Sequence, residues 1–247
     1  MTRGYRVFPL EGIPEIEAGD DLGAILADAA GRSGGLEDAD VVVVAQKAVS
    51  KAEGRVVRLD ELEPSARALE LAGDRDPRHV EAILRESVQV VRVRPPLIIA
   101  ETRHGFVCAS AGVDASNAKG EGTLILLPLD PDGSAAALRA RLRELTGADV
   151  GVVVSDSFGR PFRQGTTDVA LGVAGLTALR DLRGVRDRHG YELHATQIAV
   201  ADELAGAAEL VMGKVDGIPA AIVRGLDVRG HGLGTDIPIE EERDLFR

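Results

Sequence analysis

One cysteine and no tryptophan stand among the 247 residues of this chain. A lone thiol cannot close an intrachain disulfide, which excludes a disulfide scaffold. Cys108 sits in the strand-like run Phe106-Val107-Cys108-Ala109 and reads as a small buried hydrophobe rather than a nucleophile. Aromatic residues make up only 3% of the chain, and 29 basic residues face 40 acidic ones, for a formal net charge of −11. The clustered lysine and arginine footprint of a nucleic-acid-binding protein is missing, so any anionic ligand needs a local basic site working against the overall field. No apolar run approaches the roughly 18 to 20 residues that span a bilayer. Met1-Thr2-Arg3-Gly4-Tyr5-Arg6 leads into only a short apolar stretch, so neither a membrane anchor nor a signal peptide is expected, and the expected compartment is the cytoplasm.

Several familiar site patterns are also absent. No Gly-x-x-x-x-Gly-Lys-Ser/Thr loop is present, because Gly213-Lys214 is followed by Val215 and lacks the hydroxyl. Gly230, Gly232 and Gly234 have the wrong spacing for a dinucleotide fingerprint. His79, His104, His189, His194 and His231 are scattered singly and form no zinc pattern with the cysteine.

What is present is an irregular mixture of helices and strands, which favours an α+β fold over a regular βαβ ladder. Residues 5–10 read as an opening strand, followed by a turn at Gly12-Ile13-Pro14 and a helix from Asp20-Asp21 to Arg32. Val41-Val42-Val43-Val44-Ala45 is a continuous β-branched run, typical of a strand buried on both faces. Residues 46–55 leave it as a polar segment, and helices are expected from Glu63-Pro64 to Ala72 and from Pro77 to Arg85. Strands are expected at 88–93, 97–101, 106–109 and 123–127, with 111–122 as an aperiodic loop of functional type. Asp132-Gly133-Ser134 is read as capping a helix with Leu138, Leu142 and Leu145 on one face and Gly147 as its stop. A strand at 168–173, a helix at 198–212 ended by Gly213, and a late strand at 220–223 complete the pattern.

The segment from Gly151 to Gly165 carries the most chemistry. A β-branched run ends in Asp156-Ser157, and the loop that follows holds Arg160 and Arg163. A carboxylate and a hydroxyl at a strand exit suit a divalent cation, and arginines nearby suit phosphate. An ordinary βα connection, with Asp156 as N-cap and solvated arginines, is the competing reading. Two further polar segments follow apolar strands: one with Gln46, Lys47, Ser50 and Lys51, the other with Asp114, Ser116, Asn117 and Lys119. Convergence of the three would permit metal–phosphate binding; a solvated face is the alternative for Lys47 and Lys51.

Gly12-Ile13-Pro14-Glu15-Ile16, the run from Val41 to Gly54, Ala111-Gly112-Val113-Asp114-Ala115-Ser116-Asn117, the run from Val154 to Gly165, 218–225 and Arg243-Asp244-Leu245-Phe246 together resemble the coenzyme F420-0:γ-glutamyl ligase family, in order and over nearly the whole chain. The resemblance implies one functional unit over residues 1–247, of one or two lobes, with the family's mixed-sheet ligase fold assembled as a homodimer. It implies GTP-dependent addition of L-glutamate to coenzyme F420-0 through an acyl phosphate, and further γ-linked extension of the tail. Two Mg²⁺ or Mn²⁺ ions, and K⁺ as a further ion, go with that chemistry. A non-catalytic nucleotide-binding regulatory module, or an amino-acid ligase acting on another phosphorylated cofactor, are the alternatives.

Carried over by position, Asp114 and Asp156 would bind the first metal and Ser157 the second. Gly12, Ile13, Pro14, Glu15, Gln46, Lys47, Lys51 and Asn117 would hold the nucleotide, with Lys51 also among the catalytic residues. Arg160 and Arg163, which the resemblance does not supply, are candidates to steer the phosphodiester or carboxylates of the substrate. One departure stands out. Archaeal relatives tend to place Glu or Gln after Met-Gly, whereas Met212-Gly213 is followed here by Lys214, a cation that cannot ligate a metal. The second metal is then held differently, or Lys214 contacts phosphate, or it is simply a favourable charge at a helix end.

Overall fold

Val41, Val42, Val43 and Val44 are each 1% exposed or less, and the architecture follows from covering both faces of the strand they form. The computed structural model describes residues 4–245. Met1, Thr2 and Arg3, which enter the reading of the N-terminus, and Phe246, which enters the C-terminal match, lie outside the described residues. In chain order the elements are β1 (Arg6–Pro9), α1 (Leu22–Arg32), β2 (Val41–Ala45), α2 (Gln46–Ala52), β3 (Val56–Arg58), α3 (Ala66–Ala72), α4 (Pro77–Glu86), β4 (Ser87–Arg94) and β5 (Leu97–Thr102). They continue with β6 (Val107–Ala109), β7 (Thr123–Ile125), α5 (Pro131–Thr146), β8 (Gly151–Gly159), β9 (Thr166–Ala174), β10 (Leu179–Asp181), β11 (Gln197–Ala199), α6 (Val200–Met212) and β12 (Ala220–Arg224). Among these residues no helix is long and apolar enough to cross a membrane.

The central sheet has the order β1-β12-β2-β8-β9, with β2 and β8 parallel and every other pair antiparallel, so the α+β reading with a mixed sheet holds. Strand alternation divides its valines between two layers. Val42, Val44, Val152 and Val154 pack with Leu22, Leu26, Leu138 and Leu142 of α1 and α5. Val41, Val43, Val153 and Val173 pack instead with Val200, Leu204, Ala205, Ala208 and Met212 of α6. Gly172 lets α5 approach β9 closely: a Cβ there would lie 2.0 Å from the Pro131 carbonyl oxygen. Between β2 and β8 the chain builds a second core, in which α3 and α4 cover a β4-β5-β6 sheet and a β3-β7 pair. Phe106, Leu127 and Leu171 join the two parts.

Four expectations need correction. Residues 46–52 form helix α2 and not merely a polar segment, because Ala48 and Val49 reach the core while Gln46 and Ser50 are buried beside them. Asp130, not Asp132, caps α5, accepting from Gly133 N–H at 2.9 Å with Pro131 in the first turn. Leu145 of that helix is 43% exposed, beyond the edge of the stripe that Leu138 and Leu142 bury. Finally, the strand carrying Asp156 does not stop there. After a register shift between Val154 and Ser155, β8 runs on to Gly159, paired antiparallel with β9. No helix follows, so the helix-capping reading of Asp156 is excluded. Cys108 is 7% exposed and burial pushes its thiol up to about 12, in keeping with a core role.

Glu81 ties the second core together. Its carboxylate accepts the Ser65 backbone N–H at 2.9 Å, at the cap of α3, and Arg85 Nε–H at 2.9 Å. These bonds, Ser65 foremost, lower its pKa from 4.5 to about 2. A depressed carboxylate stabilises above its unfolded pKa, and that contribution is lost as the pH falls toward the folded value. Glu81→Gln should therefore cost about 1.5–3 kcal/mol at pH 7, with the deficit fading between about pH 4.5 and 2. Urea denaturation at several pH values checks this; a deficit that does not change with pH would refute it.

Candidate active site

A cleft of about 740 Å³ opens where the parallel pairing of β2 and β8 ends, at the carboxyl end of β2 and beside Ser155–Ser157 of β8, the edge where ligands gather in sheets with parallel strands. Its walls come from the turn Ile13–Ile16, the start of α2, the loop Asn117–Lys119, the strand end Ser155–Ser157, and the chain from Met212 to Pro219. The parallel register pairs Ala45 with Ser155, which sets the first residues of α2 beside Asp156 and Ser157. The three polar segments therefore converge. Ile13, Pro14, Glu15, Gln46, Lys47, Lys51, Asn117, Asp156, Ser157 and Lys214 all line the cleft.

Gly12 opens the turn at φ +70°, and its carbonyl accepts from Arg32 Nη2 at 3.1 Å. Asp114 stands just behind the wall, reached from the cleft by Lys47. Lys47 Nζ donates to Asp114 Oδ2 at 2.6 Å and to Ser116 Oγ at 2.5 Å. Burial works against the Asp114 charge, but Lys47 and Ser116 outweigh it and hold the carboxyl below its ordinary value. Lys51 pairs with Glu15, and Lys119 with Glu17 at 2.7 Å. Arg160 and Arg163 are exposed in the β8–β9 hairpin loop and are not among the residues lining the cleft.

The lysines are the most telling feature. The sequence contains only four, Lys47, Lys51, Lys119 and Lys214, while arginine supplies the other 25 of its 29 basic residues. All four lysines line this cleft. A lysine ammonium is a compact charge with three rotatable donors, suited to phosphate oxygens whose positions shift during reaction. Opposite them, the cleft also contains Asp168 and Glu209, which the sequence reading did not single out. Asp168 is 6% exposed on the inward alternation of β9, the one signal that could have marked it.

Two groups in the cleft are incompletely matched by the protein itself. Gln46, 1% exposed, accepts from Ser50 Oγ at 2.9 Å, but its Nε2 has no partner among the described residues. Asp156 has its pKa pushed up to about 7, chiefly by burial and further by Asp168, against the opposing pull of the Ser157 backbone N–H, Lys47 and Lys214. Among the described residues no three His, Cys, Asp or Glu side chains form a ready-made metal cage. Mg²⁺ does not need one, since it binds through one or two carboxylates, waters and substrate phosphates. The oxygen donors of Asp114, Asp156 and Ser157, with the under-compensated charge of Asp156, fit such an ion.

A family model described as F420-0:Gamma-glutamyl ligase matches residues 12–225. The chain is 46% identical to the coenzyme F420:L-glutamate ligase of Methanothermobacter thermautotrophicus, over 99% of both chains. It is 52% identical to the protein of that name from Methanopyrus kandleri, over 99% of both. The Archaeoglobus fulgidus protein of the same name is 46% identical over 98% of this chain and 96% of its own.

The raised pKa of Asp156 has a consequence for stability. Folding takes up a proton at this site between about pH 4 and 7, so stability is fullest below the ordinary carboxylate pKa and is lost as the pH rises through about 7. In metal-free buffer at pH 8, Asp156→Asn should melt roughly 2–8 °C above the unsubstituted protein, and the gap should close near pH 4. Equal melting temperatures at pH 8 would mean that the charge is already compensated.

Proposed function

The chain belongs to the F420-0:gamma-glutamyl ligase family, and we propose that its cleft uses GTP to join L-glutamate to coenzyme F420-0 through an acyl phosphate. The observation that carries this reading is the confinement of every lysine to one cleft together with the carboxylates of Asp156, Asp168 and Glu209. In a chain of net charge −11, such a concentration of cations has a purpose if an anion as highly charged as a triphosphate must be held there.

On this reading the turn at residues 12–15 and Asn117 border the nucleotide, and the free Nε2 of Gln46 donates to one of its oxygens. Lys47 and Lys51 receive phosphate oxygens in exchange for Asp114 and Glu15, their partners in the structure. That exchange frees the Asp114 carboxylate as the anion arrives. Asp114, Asp156 and Ser157 would hold one or two Mg²⁺ or Mn²⁺ ions, whose charge offsets that developing on the transferred phosphoryl group. The coenzyme carboxylate attacks the γ-phosphorus with loss of GDP; the glutamate amine then attacks the acyl carbon and releases phosphate. Extension of the tail repeats the same steps on the new γ-carboxylate. A homodimer belongs to this reading through the family resemblance, and light scattering tests it.

Incubation with coenzyme F420-0, glutamate, GTP and Mn²⁺ should add one or more glutamyl units, read by mass spectrometry. GTP binding without product would favour a nucleotide-binding module instead. Asp114→Asn should lower turnover by at least about 100-fold while leaving the fold intact, because it removes charge from the phosphoryl site. Near-normal turnover at saturating Mn²⁺ would remove Asp114 from the metal site. Lys214→Gln should lower the melting temperature by no more than about 4 °C, since a helix-end charge contributes only about 0.3–1 kcal/mol, yet raise KM for GTP or coenzyme F420-0 several-fold. Unchanged kinetics would leave Lys214 as a helix-end charge.

A further inference from the structure

We infer that Asp168 is a positioning residue that fixes the Ser157 hydroxyl as an oxygen ligand facing the cleft, an inference that rests on the proposed cation and phosphate role of Ser157. The β8–β9 register places Asp168 directly opposite Ser157. Ser157 Oγ–H donates to Asp168 Oδ1 at 2.7 Å, and Ser155 Oγ–H donates to Oδ2 at 2.9 Å. The backbone N–H of Asp168 donates in turn to Glu209 Oε2 of α6 at 2.9 Å. Asp168 is 6% exposed, and among the described residues no lysine, arginine or histidine forms an ion pair with it.

A hydroxyl has one proton and two acceptor lone pairs. When its proton is committed to Asp168, Ser157 offers only acceptor capacity to whatever sits in the cleft, which is what an electropositive ligand requires. Holding two serines together does not by itself explain a charge. A threonine or asparagine opposite them would satisfy the same hydroxyls without the cost of burying an ionised group. A carboxylate does more, because it raises the basicity of the oxygen that donates to it. Outer partners of this kind typically change metal affinity about 10–100-fold. The contact from Glu209 further couples the position of Asp168 to α6, whose end carries Gly213 and Lys214 into the same cleft.

The test uses the full chain with GDP and Mn²⁺, following Mn²⁺ binding by electron paramagnetic resonance in the unsubstituted protein and in Ser157→Ala, Asp168→Asn, Ser155→Ala and the Ser157→Ala/Asp168→Asn pair. Ser157→Ala and Asp168→Asn should each weaken Mn²⁺ binding about tenfold. The pair should be no weaker than Ser157→Ala alone, because both changes remove one interaction. Ser155→Ala, which leaves the Ser157 contact in place, should lose less. In turnover assays, Asp168→Asn should lower kcat with KM for glutamate unchanged. If Ser157→Ala weakens Mn²⁺ binding and Asp168→Asn does not, the positioning role is wrong while the proposed function stands. If Asp168→Asn only lowers the melting temperature, Asp168 serves the sheet alone. If Ser157→Ala has no effect, the role of Ser157 fails and the inference fails with it. Should Asp168→Asn not fold, Asp168→Ser, smaller and still an oxygen acceptor, is read in its place.

Discussion

The parallel pairing of β2 with β8 is the constraint on which the cleft depends. Its register runs from Val41 opposite Gly151 to Ala45 opposite Ser155. The valines in between are buried in two different cores, so a slip of one residue would turn each set toward the wrong helices. Burial thus fixes to within a residue where each strand ends. Gln46 and Lys47 leave one strand where Asp156 and Ser157 continue the other. The geometry of the cleft thus rests on apolar packing beneath it.

Around that fixed edge the protein arranges charge by exchangeable contacts. Lys47 reaches Asp114 across 67 positions of sequence, and Lys51 reaches Glu15 across 36. These pairs tie the loop at Asp114 and the turn at Glu15 to α2. Their carboxylates are partly exposed, so water screens each pair and its contribution to stability is small. Both lysines are thereby held in place at the cleft wall. Each largely buried ammonium has a partly exposed carboxylate as its partner.

The floor of the cleft follows the opposite rule. Asp168 is buried and Asp156 half-buried, and desolvation drives the Asp156 pKa up to about 7. Such a site weakens the fold as the pH rises through about 7, a trade common at functional positions. The register shift after Val154 lies one residue before this cluster, as shifts near active sites often do when they re-aim a side chain.

Local chemistry in the sequence determined a good deal. Runs such as Val41–Ala45 and Ala220–Val223 define strands because β-branched residues without polar alternation require burial on both faces. Glycine and proline punctuation placed most helix ends, and the order of the motifs was sufficient to show the resemblance to the family. The sequence also named Lys47, Lys51, Asn117, Asp156 and Ser157, since polar residues just after apolar strands are unusual enough to stand out. Tertiary structure alone decided the rest. Whether the chain after Asp156 turns into a helix or a hairpin depends on pairing with residues 166–174, which no local signal specifies. The exclusion of Arg160 and Arg163 from the cleft follows from that hairpin. Asp168 and Glu209 enter the site by strand register and helix packing, and the four lysines, scattered over 168 positions from Lys47 to Lys214, gain a shared meaning only when the sheet brings them to one edge.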